Sequence, residues 1–87
     1  MDRSSGTWRP HPFEVGVSYV AVQSFTGFPR SEFVAGQSYE LQHVGYSRYD
    51  SSTVFTFQAK GSTDPCYWWW YDQESATLCH ERFRVAA

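Results

Sequence analysis

The stretch CYWWWYD, Cys66 to Asp72, places three consecutive tryptophans between two tyrosines. Side chains alternate between the two faces of a strand, so Trp68 and Trp70 share one face while Trp69 and the two tyrosines share the other. A small domain with a single core buries only one face of such a strand. The stretch therefore predicts a sheet with one aromatic face in the core and a second aromatic face that something else must cover.

The composition of the chain favours strands over helices. Its 87 residues suffice for one domain with one core. Aromatic residues make up 20% of the chain, whereas leucine occurs twice and isoleucine is absent. A core built from aromatic side chains and valine is typical of a β-sheet.

The charge pattern argues against nucleic-acid binding. Seven Lys and Arg residues against nine Asp and Glu residues give a formal net charge of −2, and the charges are scattered along the chain. A nucleic-acid-binding domain carries a concentrated basic surface instead.

Hydropathy argues against a membrane protein. No segment approaches the roughly twenty apolar residues needed to span a bilayer, and the N-terminus lacks the apolar run of a signal peptide. We therefore expect a cytoplasmic protein, in which the two cysteines are reduced.

The first thirteen residues read as an extended arm, and residues 14–87 as one β-barrel domain. The arm contains WRPHPF, Trp8 to Phe13, whose two prolines favour a polyproline-like path. Its aromatic ends predict that the arm packs against the domain.

Alternation predicts the first strands of the barrel. The stretch VGVSYVAVQSF (15–25) is largely apolar on both faces, which suits a position inside the fold. SYELQHV (38–44) alternates, with Tyr39, Leu41 and His43 on one face.

The remaining strands complete a small barrel. TVFTFQA (53–59) precedes the tryptophan strand, which we expect to return as a strand ATLCH (76–80) and to continue into a last short strand, ERFRV (81–85). Five or six short strands and no long amphipathic helix predict an all-β, antiparallel, SH3-like barrel. An OB-like barrel is the alternative, which the lack of a helix between strands disfavours.

Parts of the sequence resemble known layouts. SYVAVQSF, SEFVAGQSYEL and the tryptophan strand resemble the SH3-like order of first strand, long loop, apolar stretch with a Gly turn, and Trp-rich strand. The chain also resembles a small bacterial domain family of unknown function, which implies a bacterial origin and no particular activity. The positions that match that family are Gly16, Tyr19, Val22, Phe25, Phe33, Gly36, Leu41, Tyr46, Ser47, Tyr49, Phe55 and Phe57.

Two departures from the pattern of peptide-binding SH3 domains argue against binding of proline-rich ligands. Peptide-binding SH3 domains carry an acidic long loop, whereas TGFPRSE (26–32) offers only Glu32. The last segment, ERFRVAA, has neither the proline nor the tyrosine that such domains use near their last strand.

The cysteines and histidines do not predict a metal site. No pair has the spacing of a zinc ribbon or knuckle, and adjacent residues of a strand, such as Cys79 and His80, point to opposite faces. We expect neither a metal nor a cofactor.

Two turn lengths leave the pairing of the cysteines open. A two-residue turn at Asp72 and Gln73 would place Cys66 opposite Cys79, within reach of a disulfide. A four-residue turn pairs Trp68 with Cys79 instead. The sequence lacks the glycine that two-residue turns favour, which favours the longer turn and free thiols.

Candidate catalytic groups are scattered. The carboxylates lie in loops or on polar strand faces, and alternation separates Cys79 from His80 within the CHE sequence. A phosphate-binding glycine loop and a nucleophile elbow are both missing. We therefore expect a protein that is not an enzyme.

Two interpretations of the tryptophan strand remain. In the first, Trp69 and its tyrosine neighbours are core, and the arm covers Trp68 and Trp70 as an internal ligand; the two faces could equally be reversed. In the second, Trp68 and Trp70 stay partly exposed beside aromatic residues of neighbouring loops and bind a partner.

We expect a non-enzymatic protein-interaction module. The alternatives are an inhibitor or immunity-type protein that blocks a partner's active site and a binder of sugars or other small ligands. The expected partner is another protein, or a second copy of the chain, rather than nucleic acid or a membrane. The predicted partner-binding residues are Trp68, Trp70, Tyr46, Tyr49 and Phe28, with Arg48 and Asp50 as polar rim contacts.

Overall fold

The computed structural model describes residues 7–27 and 31–86. In these residues the chain forms seven strands and one short helix. Their bounds are β1 Ser18–Ala21, β2 Phe25–Thr26, β3 Glu32–Phe33, β4 Ser38–Ser47, β5 Ser52–Ala59, β6 Pro65–Tyr71, α1 Leu78–Arg82 and β7 Phe83–Val85.

The strands form two antiparallel sheets. The larger sheet has five strands in the order β6-β5-β4-β1-β7, and β2 pairs with β3 in a separate two-stranded hairpin. The predicted all-β antiparallel class is confirmed.

The segment after the tryptophan strand differs from the prediction. The expected strand at 76–80 does not form; Leu78–Arg82 is a single helical turn, and the expected last strand follows it as β7. Strands β6 and β7 lie at opposite edges of the larger sheet. The connection between them therefore cannot be a hairpin and must cross from one edge to the other.

A β-bulge in β4 changes which side chains face the core. The register of β4 against β5 shifts between Leu41 and His43. Because the bulge adds one residue to the alternation, His43 is exposed and Val44 is buried. The prediction that His43 shares a face with Leu41 is wrong for this reason.

Aromatic contacts across the interior join the two ends of the sheet. Phe83 of β7 stacks on Phe57 of β5 at a centroid distance of 4.8 Å and lies 5.8 Å from the Trp68 ring of β6. These rings belong to one buried cluster. The sheet therefore curls around a single aromatic core, and Phe13, the last residue of the predicted arm, lies within that core.

The β2–β3 hairpin is fixed to the free edge of β6. The Tyr67 N–H of β6 donates to the Ser31 hydroxyl oxygen at 2.8 Å, and the Gly27 N–H donates to the Ser31 carbonyl oxygen. A Cβ atom at Gly27 would overlap the Tyr67 carbonyl oxygen. Only glycine permits this approach of the two backbones.

Gly27→Ala should therefore destabilise the protein by about 1–3 kcal/mol, because one backbone must shift. Gly45→Ala is the control, since its Cβ would lie 3.5 Å from the nearest atom, a His43 ring nitrogen, an ordinary contact. Urea unfolding of both variants measures the difference. Equal stability of the two variants would contradict the close approach.

Candidate functional site

The structure buries the face of the tryptophan strand that was predicted to bind a partner. The exposed fractions of Trp68 and Trp70 are 2% and 1%. In the register of β5 and β6 they lie opposite Phe55 and Thr53, both also buried. The expectation that Trp68 and Trp70 are exposed is wrong, and the half-buried face carries Trp69 and its two tyrosine neighbours.

The arm contacts Trp68 and Trp70, as the first interpretation of this strand predicted. The core assignment in that interpretation is wrong, because Trp68 and Trp70 are the core residues and Trp69 is only half-buried. The guanidinium carbon of Arg9 lies 3.5 Å from the Trp70 ring centroid. Its two terminal nitrogens donate to the carbonyl oxygens of Tyr71, at 2.8 Å, and Glu74, at 2.5 Å. Further along the arm, the Phe13 ring meets Trp68 edge-on at 6.4 Å. Arg9 thus joins the arm to the end of β6.

Replacing Arg9 with glutamine should lower the free energy of unfolding by about 1–3 kcal/mol, because the cation–π contact and two charge-assisted hydrogen bonds are lost. Arg48→Gln, which removes the same charge from an exposed loop position, serves as the matched control. Chemical denaturation followed by tryptophan fluorescence reports both. An unchanged stability of the Arg9 variant would show that the arm contact is dispensable.

The other predicted site residues lie around the β4–β5 hairpin. The half-buried Tyr46 donates its hydroxyl hydrogen to Asp72 Oδ2 at 2.5 Å, and its ring contacts Trp8 of the arm edge-on at 6.4 Å. Tyr49 is fully exposed in the hairpin loop, and the exposed fraction of Trp8 is 66%. We name these three aromatic residues, Trp8, Tyr46 and Tyr49, the hairpin patch.

The polar rim residues are exposed in the same loop. Arg48 and Asp50 lie between β4 and β5, and Asp50 accepts a hydrogen bond from the Ser47 hydroxyl at 2.7 Å. Phe28, the remaining predicted residue, lies outside the described residues. Trp8 was not among the predicted site residues; its only sequence signal was an aromatic ring in a proline-containing arm.

The described part of the surface includes two clefts large enough to hold a side chain. The larger, about 500 Å³, is lined by residues of β1, β4, β5 and the loop after β5. No aromatic side chain is among its lining residues, so it offers no ring on which a sugar could stack. The smaller, about 290 Å³, lies between the β2–β3 hairpin, the edge of β6 and the end of α1. Its lining residues are Thr26, Gly27, Trp68, Trp69, Tyr71, Glu74 and Arg82.

The two cysteines are free thiols. Cys79 is fully buried on α1, and burial raises its pKa to about 12. Burial also raises the pKa of the half-buried Cys66. Among residues 7–27 and 31–86 no group of three or more His, Cys, Asp or Glu side chains could hold a metal ion.

The raised pKa predicts a protected thiol at Cys79, because the thiolate is the species that reacts with alkylating reagents. In a Cys66→Ala variant at pH 8, the remaining thiol should react with iodoacetamide at least about 100-fold more slowly in the native protein than in urea. Mass spectrometry of timed samples measures both rates. Similar rates would contradict the burial of Cys79.

Comparison with known proteins gives a structural neighbour. No protein-family model matches the chain, and no curated protein matches it. The structure is similar to that of an integron cassette protein from the mobile metagenome of Vibrio cholerae, with a TM-score of 0.66 and 18% sequence identity over 85% of this chain and 86% of that one. At this identity the likeness shows a shared fold and no shared function.

No helix in the described part of the chain is long and apolar enough to cross a bilayer.

Proposed function

We propose that this chain is a non-enzymatic protein-interaction module that binds another protein through the hairpin patch. The observation that carries this proposal is the exposure of two large aromatic side chains: Trp8, which contacts Tyr46 of β4, and Tyr49, which lies in the loop after β4. Tryptophan and tyrosine are enriched among the residues that dominate binding energy at protein interfaces. Arg48 and Asp50 would supply polar contacts at the rim.

The hydrogen bonds around the patch support the proposal, because they hold its backbone in place before binding. Tyr46 is bonded to Asp72 at the end of β6, and the hydroxyls of Thr7 and Thr53 are 2.8 Å apart. Arg9, next to Trp8, is bonded to two carbonyl oxygens. A surface ordered in advance loses less conformational entropy when a partner docks.

A double variant, Trp8→Ala with Tyr49→Ala, tests the patch. A protein retained by the wild type from a lysate of the source organism should be lost from the double variant, and the purified pair should then show a dissociation constant at least about tenfold weaker with the variant. Retention of the same protein by the double variant would contradict the proposal.

Val22→Ala with Val34→Ala is the matched control, since both valines are about half-exposed apolar side chains outside the patch. This control should bind the partner like the wild type. Urea unfolding of all three proteins shows that lost binding is not lost folding.

Measurements on the purified proteins also distinguish the proposed module from the alternative functions. An inhibitor or immunity-type protein would form a stoichiometric nanomolar complex that blocks its partner's activity. A second copy of the chain as the partner would give concentration-dependent sedimentation. The sugar-binding alternative depended on stacked tryptophans, and the burial of Trp68 and Trp70 removes its main support.

We also propose an SH3-like layout, a bacterial origin and a cytoplasmic location for this protein. An SH3-like layout is supported by the order of first strand, long connection with the β2–β3 hairpin, Gly turn at Gly36 and Trp-rich β6. A bacterial origin agrees with the Vibrio cholerae neighbour. A cytoplasmic location is supported by the two free cysteines.

A further inference from the structure

Arg82 presents an unpaired guanidinium at the smaller cleft. This cleft, which we name the Arg82 groove, lies between the β2–β3 hairpin and the edge of β6. The guanidinium carbon of Arg82 lies 4.4 Å from the Phe25 ring centroid and 5.5 Å from that of Trp68. Stacking on these rings occupies a face of the guanidinium, and Arg82 is itself one of the residues that line the groove.

The N–H donors of Arg82 have no acceptor in the described part of the chain. The Arg82 Nε atom is buried without a hydrogen-bond partner, and no hydrogen bond or ion pair joins the guanidinium to residues 7–27 or 31–86. A buried donor without an acceptor costs free energy, more so when it belongs to a charged group. A ligand in the groove that accepts hydrogen bonds from the terminal nitrogens of Arg82 would offset part of the cost of burying this charged group.

The hydrogen-bonding geometry of the Arg82 guanidinium indicates the chemical class of the ligand. A guanidinium presents parallel N–H donors whose fork matches the two oxygens of a carboxylate. The groove, about 290 Å³, has room for a side chain, and its lining includes Trp69 and Tyr71. Rings beside the charge reduce contact with water, which strengthens an ion pair.

We propose that the Arg82 groove binds the carboxylate of an aspartate or glutamate side chain from a partner protein. The groove shares no residue with the hairpin patch, so this proposal does not rest on the proposed function.

The backbone of the groove favours a side-chain carboxylate over the carboxylate of a chain end. Proteins capture a terminal carboxylate with backbone N–H groups arranged as a nest. Here the N–H of Gly27 donates to the Ser31 carbonyl oxygen, and the N–H of Tyr71 donates to Glu74 Oε1 at 2.9 Å. These donors are already used within the chain, whereas Arg82 is not.

The charges around the groove favour a single carboxylate over a polyanion. Glu74 also lines the groove, and the chain has a net charge of −2. A nucleic acid would meet repulsion from Glu74 and would need several basic groups together. A partner segment with one acidic side chain between neutral residues therefore suits the guanidinium of Arg82.

The test is a titration of the ¹⁵N-labelled protein with a blocked peptide, acetyl-Ala-Ala-Glu-Ala-Ala-amide. The Arg82 Nε–H signal should shift with a dissociation constant on the order of 1 mM. The same peptide with glutamine in place of glutamate should bind at least about tenfold more weakly, because the fork then meets a neutral amide.

Variants assign the effect to the groove. Arg82→Gln should weaken binding of the glutamate peptide at least about tenfold, as read from the Trp69 backbone signal, and Arg82→Lys should weaken it because the fork is lost. Arg84→Gln, at an exposed position outside the groove, should bind like the wild type. Glu74→Gln should strengthen binding about two- to fivefold by removing a like charge.

The Glu74 variant keeps the test decisive if Arg82→Gln does not fold, since its glutamine can still accept from the Tyr71 N–H. The proposal is overturned if the glutamine peptide binds as well as the glutamate peptide, or if Glu74→Gln leaves binding unchanged. It is also overturned if acetyl-Ala-Ala-Ala with a free C-terminus, or inorganic phosphate, shifts the Arg82 signal at lower concentration than the glutamate peptide.

Discussion

The burial of Trp70 at the edge of the sheet is the constraint on which the rest of the structure depends. Strand β6 pairs with β5 on one side only, so nothing in the larger sheet covers the outer end of its buried face. The arm supplies that cover, since the Arg9 guanidinium lies over the Trp70 ring and donates hydrogen bonds to the carbonyl oxygens of Tyr71 and Glu74. The arm is therefore part of the fold, and Phe13 carries it into the core.

A second arginine covers the neighbouring tryptophan from the opposite end of the chain. Arg82 of α1 lies against Phe25 and Trp68, much as Arg9 lies against Trp70. A guanidinium suits this position because its weakly hydrated flat face packs on a ring while its edge keeps polar contacts. The two arginines differ in those polar contacts. Arg9 donates hydrogen bonds to carbonyl oxygens of its own chain, whereas the Nε of Arg82 has no hydrogen-bond partner. Because of this difference, Arg82 forms part of a candidate binding site and Arg9 does not.

Arg9 and Arg82 also shape the two surfaces that we propose as binding sites. By holding the arm in place, Arg9 positions Trp8 against Tyr46 and so creates the hairpin patch. Arg82, the last residue of α1, lines the groove beside the core residue Trp68. The fold shared with the integron cassette protein does not assign a function to the hairpin patch or to the Arg82 groove. Function depends on particular side chains rather than on the arrangement of strands.

The local sequence pattern alone determined the fold class of this protein and the approximate positions of most of its strands. The aromatic composition and the period of two predicted the all-β class and most of the strands, and the proline-containing arm predicted its own packing against the tryptophans. Alternation also showed that Trp68 and Trp70 share a face. Each of these properties depends on residues close together in the chain.

Only the tertiary structure decided which face of the tryptophan strand is buried, because that choice depends on pairing with Thr53 and Phe55 and on the rings that pack above them. The register shift that exposes His43, and the placement of β6 and β7 at opposite edges that rules out a hairpin between them, are likewise properties of the assembled sheet. The Arg82 groove joins residues 26–27, 68–69, 71, 74 and 82, which no local pattern connects. Sequence periodicity reports which side chains share a face, whereas long-range packing decides what that face meets.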